Sequence, residues 1–252
     1  MMFGMRRQTT LSIRTFKGKL PAQVWIALWI FPLLLAGCSP AAQTAVRLST
    51  QDDAPTAVFR YIDIYASPAT RPWLSDFYAC ALEFPAADTF LRIADSPEAA
   101  QVVLRLGEPE HLTGFSYQIG ADDLLVVAHR QSPLQNMGQD EVQALFAGRG
   151  ELPGVQVWAY AAGEDIQRSF QNQVMGAVTL TSLAKLVANP QQMSDTLNND
   201  PNSVGILLRR WKMGDSRILF SLDGLPVLAL TPQEPEAPLR QWIACVQQKT
   251  AP

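Results

Sequence analysis

The chain has 252 residues, of which 48% are hydrophobic and 17% charged, and a formal net charge of −3. That length allows one domain or two small lobes sharing an interface, and 18 Pro with 15 Gly supply turns without a low-complexity tract. The acidic balance argues against binding through a nucleic-acid backbone, and with only two His, neither near a second His or a Cys, a zinc site is not expected.

Chain order begins with Arg6, Arg7, Arg14, Lys17 and Lys19 ahead of an apolar run over 24–35. Basic residues, a short apolar core and the small pair Ala36-Gly37 read as a secretory signal, because the run is too short to span a bilayer. Leu35-Ala36-Gly37-Cys38 is similar to the bacterial lipobox, whose Cys is acylated after cleavage just before it. The expectation is a lipoprotein signal over 1–37, lipid attachment at Cys38, and a polar tether over 38–56, with attachment to the outer side of a membrane of a bacterial cell envelope. The competing reading is an ordinary signal with an incidental Cys. Losing the five basic residues leaves 15 Lys+Arg against 23 Asp+Glu, a net charge of −8, which argues against nucleic acid and against a polybasic membrane patch.

Residues 58–66 alternate as a first strand, and Ser67-Pro68-Ala69 turns into a helix over 71–84 with Trp73, Phe77, Cys80, Ala81 and Phe84 at helical spacing. Ser67 stands where a side chain either caps the helix or donates to an anion. Residues 89–94 and 102–106 read as strands two and three, separated by a short helix from Ser96-Pro97-Glu98, and the third strand stops at Gly107-Glu108-Pro109. Residues 111–118 read as irregular. The apolar run 124–128 fits a strand buried on both faces.

After a break at His129, Val142, Leu145 and Phe146 mark a helix that stops at Gly148. A strand over 156–160 follows, then Ala161-Ala162-Gly163, then a helix opened by Glu164 and Asp165, where the helix dipole favours acids. Strand, helix, strand and helix joined by short connections imply a parallel sheet. Two helical pieces are expected over 183–197, strands over 204–208, 217–222 and 225–230, and a final helix over 237–247.

No nucleophile elbow, phosphate loop or dinucleotide fingerprint occurs. Ser182-Leu183-Ala184-Lys185 matches the S-x-x-K pattern of serine β-lactamases, but Ser194-Asp195-Thr196 and Lys249-Thr250-Ala251 depart from the partner motifs, so no enzyme and no cofactor are expected.

The stretch LLVVAHRQSPLQNMG, the helix ending ALFAGR, the strand QVWAY, the small turn and the helix ending RSF together resemble the phosphate-type solute-binding proteins of ABC importers. LNNDPNSVGILLRRW resembles the same family's helix, turn and strand. The resemblance is patchy and runs from about residue 58 to 247. It implies an α/β chain with the two-lobed type 2 periplasmic-binding-protein fold, each lobe a mostly parallel sheet flanked by helices and the ligand cleft between them. It would put 57–127 with 219–252 in one lobe and 128–218 in the other. It implies that a small solute is handed to the permease subunits of an importer, and nothing in the sequence points to an oligomer, so a monomer is expected.

By the same resemblance the C-terminal helix returns to the first lobe, which makes Cys80 and Cys245 a candidate disulfide, with two buried thiols as the alternative. It also makes Ser67, Glu108, Gly163, Glu164 and Asp165 candidate ligand-binding residues, and turns Gly205 toward the cleft. The sequence departs from the phosphate pattern in two places. Ala162-Gly163-Glu164 stands where that family has a hydroxyl-bearing turn with a nearby Arg, and Leu106-Gly107-Glu108 stands where it has Ser-Asp. Phosphate or another oxyanion is therefore one ligand class among others, because acids in a cleft also suit a cation or polyol. The same departures motivate an alternative role, a lipid-anchored sensor or assembly protein that reuses the binding fold without transport.

Overall fold

Two long strands that pair with each other organise the molecule, β4 (Phe115–Ala128) and β8 (Arg217–Thr231). The computed structural model describes residues 59–149 and 154–250; the expected signal segment, Cys38 and the tether lie outside these. Eight strands form the sheet order β2-β1-β3-β8-β4-β7-β5-β6. On one side of the long pair lie β1 (Arg60–Ala66), β2 (Thr89–Ile93) and β3 (Val102–Leu106). On the other lie β5 (Gln156–Ala159), β6 (Lys185–Leu186) and β7 (Ser203–Leu208). Strand β1 pairs in parallel with β2 and β3, and β5 in parallel with β6 and β7. The long strands pair antiparallel with each other, and antiparallel with β3 and β7.

The parallel expectation thus holds for the outer strands and fails for residues 124–128. That run is buried as expected, with Leu124 to Ala128 at most 1% exposed, but burial on both faces does not fix strand direction. Its partners are Val204 to Leu208 on one edge and the first half of β8 on the other, both antiparallel. Residues 115–118, read as irregular, form the start of β4, because Ser116 and Tyr117 find partners at Leu230 and Ala229. The two strands expected over 217–222 and 225–230 are one, continuous through Asp223-Gly224. Register shifts in β4 between Gln118 and Gly120, Asp122 and Leu124, and Val126 and Val127 accommodate its bending along β8.

Helices cover the sheet where their apolar positions dictate. Helix α1 (Leu74–Glu83) buries Phe77 and Cys80, and a 3-10 segment, Pro68–Trp73, leads into it. Helix α2 (Gln139–Phe146) buries Val142, Leu145 and Phe146, and Glu141 accepts from the Gly138 amide at its start. Helix α3 (Asp165–Phe170) runs into a five-residue π-helical turn, Gln171–Met175. Helix α4 (Pro190–Asn199) is capped by Asn189, whose side chain accepts from Gln192 N. Of the two helical pieces expected over 183–197 only this one exists; Lys185 and Leu186 instead extend the sheet edge beside β5, where both side chains are exposed.

Helix α5 (Leu239–Thr250) packs on α1 and β4. Cys245 on α5 is bonded to Cys80 on α1, with their Cα atoms 5.9 Å apart. Trp242 Nε1 donates to Phe84 O at 2.9 Å, so the end of α1 and the middle of α5 are tied by a second contact. Gln247 Nε2 donates to Gln118 O at 2.9 Å, anchoring α5 on the first residues of β4.

Candidate ligand cleft

Parallel pairing of β1 and β3 brings their C-terminal ends to one edge of the sheet, the edge where open α/β sheets hold ligands. Strand β1 ends at Ala66 and is followed by Ser67; β3 ends at Leu106 and is followed by Gly107. Gly107 has φ +71°, a left-handed conformation that spares the chain a side-chain penalty, and its amide donates to Pro226 O at 2.8 Å. From the other half, the turn after β5 presents α3 to the same edge. Gln167 Oε1 accepts from the Tyr160 amide at 3.0 Å and the Tyr160 hydroxyl donates to Ile206 O at 3.1 Å, which fixes that turn against β7.

Asp165, the first residue of α3, is only 4% exposed. Its Oδ2 accepts from the Ser67 hydroxyl at 2.6 Å and from the Leu106 amide at 2.8 Å. Its Oδ1 accepts from the Ile166 amide at 3.0 Å. Asp165 therefore points into the protein and joins the ends of β1 and β3. Ser67 occupies the residue before the 3-10 segment, but its hydroxyl makes no capping bond; it is spent on Asp165, with Thr70 Oγ1 3.1 Å away.

Two adjoining cavities open around this junction and share Arg105, Asp165 and Arg168 on their walls. One, of about 260 Å³, is lined also by Tyr65, Ser67, Gly163 and Glu164. The other, of about 280 Å³, is lined also by Gly107, Glu108, Ser169 and Asn172. All five sequence candidates reach these cavities: Ser67, Gly163, Glu164 and Asp165 the first, Glu108 and again Asp165 the second. Gly205, expected to face the cleft, does not. A Cβ there would lie 2.5 Å from Met193 Sδ, so its missing side chain makes room for α4.

Sequence reading missed Arg105 and Arg168. Neither has a carboxylate within ion-pair distance among the described residues, whereas Arg92, Arg130, Arg209, Arg210 and Arg240 each do. Arg105 Nε is buried with no hydrogen-bond partner. Burial and the nearby Arg168 both push the Arg105 guanidinium below its ordinary pKa, and Asp165 opposes them. Glu164 is pushed up by burial and by Asp165, with Arg168 pulling the other way. A signal for Arg168 was present: Asp165, Arg168, Ser169 and Asn172 recur at i, i+3, i+4 and i+7, one polar face of a helix. Arg105 alternates with buried Leu104 and Leu106, a pattern shared with any half-exposed strand residue.

No protein-family model matches the sequence, and neither does any curated protein. Solved structures do match in fold. A putative phosphate ABC transporter substrate-binding protein with bound phosphate from Clostridium perfringens aligns with a TM-score of 0.64 and 12% identity, over 74% of this chain and 93% of its own. An ABC-type phosphate transport receptor from Vibrio cholerae aligns with a TM-score of 0.56 and 12% identity, over 75% and 95%. The regulatory domain of Synechocystis CcmR in complex with 2-PG aligns with a TM-score of 0.58 and 11% identity, over 76% and 97%. Importer receptors and a regulatory domain thus share this architecture, and the described residues have the type 2 periplasmic-binding-protein fold.

Proposed function

We propose that the protein is an extracytoplasmic, lipid-anchored binding protein that takes a small anionic solute between two lobes and delivers it to the permease subunits of an ABC importer. The observation that carries the anionic class is the Arg105–Arg168 pair: two guanidiniums, one from each side of the cleft, that among the described residues have no carboxylate within ion-pair distance, one of them holding a buried donor with nothing to donate to. A buried donor left without a partner is costly, and a like-charged pair adds repulsion, so both are relieved when an anion enters. Such strain at a cleft is the pattern of a site shaped for a ligand. The lobes would be 57–127 with 219–252, and 128–218, hinged where β4 and β8 pass between them. Cys38 would carry the lipid, and no catalytic step is involved.

A second reading, a lipid-anchored sensor or assembly protein without transport, is favoured by the contact of Asp165 with Ser67 and the Leu106 amide, since a carboxylate of the chain already uses those donors. Scattering from the soluble protein, begun at Ser39, tests between them. A radius of gyration that falls on adding the anion supports a closing binding protein. One fixed geometry across anions, cations and sugars would reject it in favour of the second reading.

A further inference from the structure

The donors around Asp165 are those a dehydrated oxyanion needs: a hydroxyl from the end of β1 at 2.6 Å, an amide from the end of β3 at 2.8 Å, and an amide of α3 at 3.0 Å. All three are neutral, two come from the opposite side of the cleft, and the acceptor they surround is a carboxylate 4% exposed. No Lys, Arg or His nitrogen lies within ion-pair distance of Asp165 among the described residues, although Arg105 and Arg168 share its cavities. A buried carboxylate held by neutral donors, beside two cations that have no carboxylate partner among the described residues, is an unusual division of charges if structure were its only purpose, because pairing would relieve both.

We propose that Asp165 is a built-in ligand: its carboxylate fills an oxyanion subsite formed by Ser67 and the Leu106 amide, and thereby confines any free solute to the compartment walled by Arg105 and Arg168. Asp165 is thus the specificity-determining residue. A tetrahedral oxyanion that needs the ends of β1 and β3 is turned away by charge and by occupancy, while an elongated anion that reaches only the guanidiniums is admitted. The first half of the proposal stands on the Asp165 contacts alone; the second rests on the anionic reading given above.

Removing the carboxylate should leave a vacant subsite that a free anion refills. In chloride buffer, Asp165→Ala is expected to unfold about 5–10 °C below the wild type. Formate or sulfate at tens of millimolar should recover at least half of that loss at constant ionic strength. The recovery should disappear in Asp165→Ala with Ser67→Ala, and survive in Asp165→Ala with Arg168→Gln. If Asp165→Ala does not fold in chloride, its refolding yield with and without formate reads the same effect. A loss of stability that no anion restores, or a recovery that needs Arg168 and ignores Ser67, would overturn the built-in ligand. Recovery through Ser67 combined with a wild type that answers to no anion would keep the subsite and reject only the anionic solute.

Discussion

The Ser67 hydroxyl donates to Asp165 Oδ2 over 2.6 Å, between residues 98 positions apart in the chain and on opposite sides of the long strand pair. It is one of two polar ties from Asp165 across the cleft, the other being the Leu106 amide at 2.8 Å. The Asp165 carboxylate stays buried whether or not Ser67 is present, so losing the donor leaves a charge under-satisfied rather than merely deleting a bond. Ser67→Ala should therefore cost about 1.5–3 kcal/mol of unfolding free energy, the range for hydrogen bonds to charged groups. Denaturant unfolding with an unchanged slope would measure it. A change within experimental error would mean that water takes the donor's place.

Gly120 in β4 sits against Trp73. A Cβ at this position would lie 2.3 Å from one ring carbon of Trp73 and 2.5 Å from another. The ring is 1% exposed and carries the Arg210 guanidinium 3.8 Å from its centroid, so it has nowhere to retreat. Gly120→Ala should cost about 1–3 kcal/mol by overpacking, with the disulfide intact. Near-UV circular dichroism should report the altered tryptophan environment, and an unchanged melting temperature would contradict the close approach.

Glu164 carries a pH dependence with a defined sign. Burial and Asp165 raise its pKa in the folded protein, so the protonated form is favoured there. The stability it contributes is present below the unfolded pKa and is lost as pH rises through the folded value. Glu164→Gln should accordingly be more stable than the wild type near pH 7, and the difference should close as pH falls into the ordinary carboxylate range. Urea midpoints of the two proteins across that range check it, and a gap of constant size would contradict it.

The Cys80–Cys245 bond closes a loop of 165 residues, joining the first and last helices of the described fold. Restricting so long a loop in the unfolded chain is worth about 2–5 kcal/mol by the usual range for native disulfides. Cys80→Ser with Cys245→Ser should lose stability of that order and become indifferent to reductant. Equal stability of the wild type with and without reductant would show that the bond contributes little beyond the Trp242 and Gln247 contacts of α5.

Elements with a clear hydrophobic period were legible in the sequence: α1, α2 and α5, the burial of residues 124–128, and the strand over 204–208. Strand direction was not, because a run buried on both faces carries no alternation, and its partner 80 residues away decides whether it pairs parallel or antiparallel. Leu183, Leu186 and Val187 keep helical spacing, while the edge of β5 takes Lys185 and Leu186 into the sheet. The candidate residues of the cleft came from the family resemblance, and the structure brings them to adjoining cavities. What spacing could not supply was the direction of Asp165, which turns on donors from Ser67 and Leu106, or the isolation of Arg105, which depends on what is absent around it.

A thermal-shift screen of the soluble protein against phosphate, sulfate, di- and tricarboxylates, amino acids, sugars and metal ions tests anion binding most directly when run in parallel on Arg105→Gln and Arg168→Gln. A ligand at 100 times its dissociation constant stabilises by about 2.7 kcal/mol, a shift of several degrees for a chain of this length. The expected result is a hit confined to anions, reaching that size in the wild type and lost in both variants. A hit on a cation or sugar, or an anion whose shift is unchanged in both arginine variants, would contradict it.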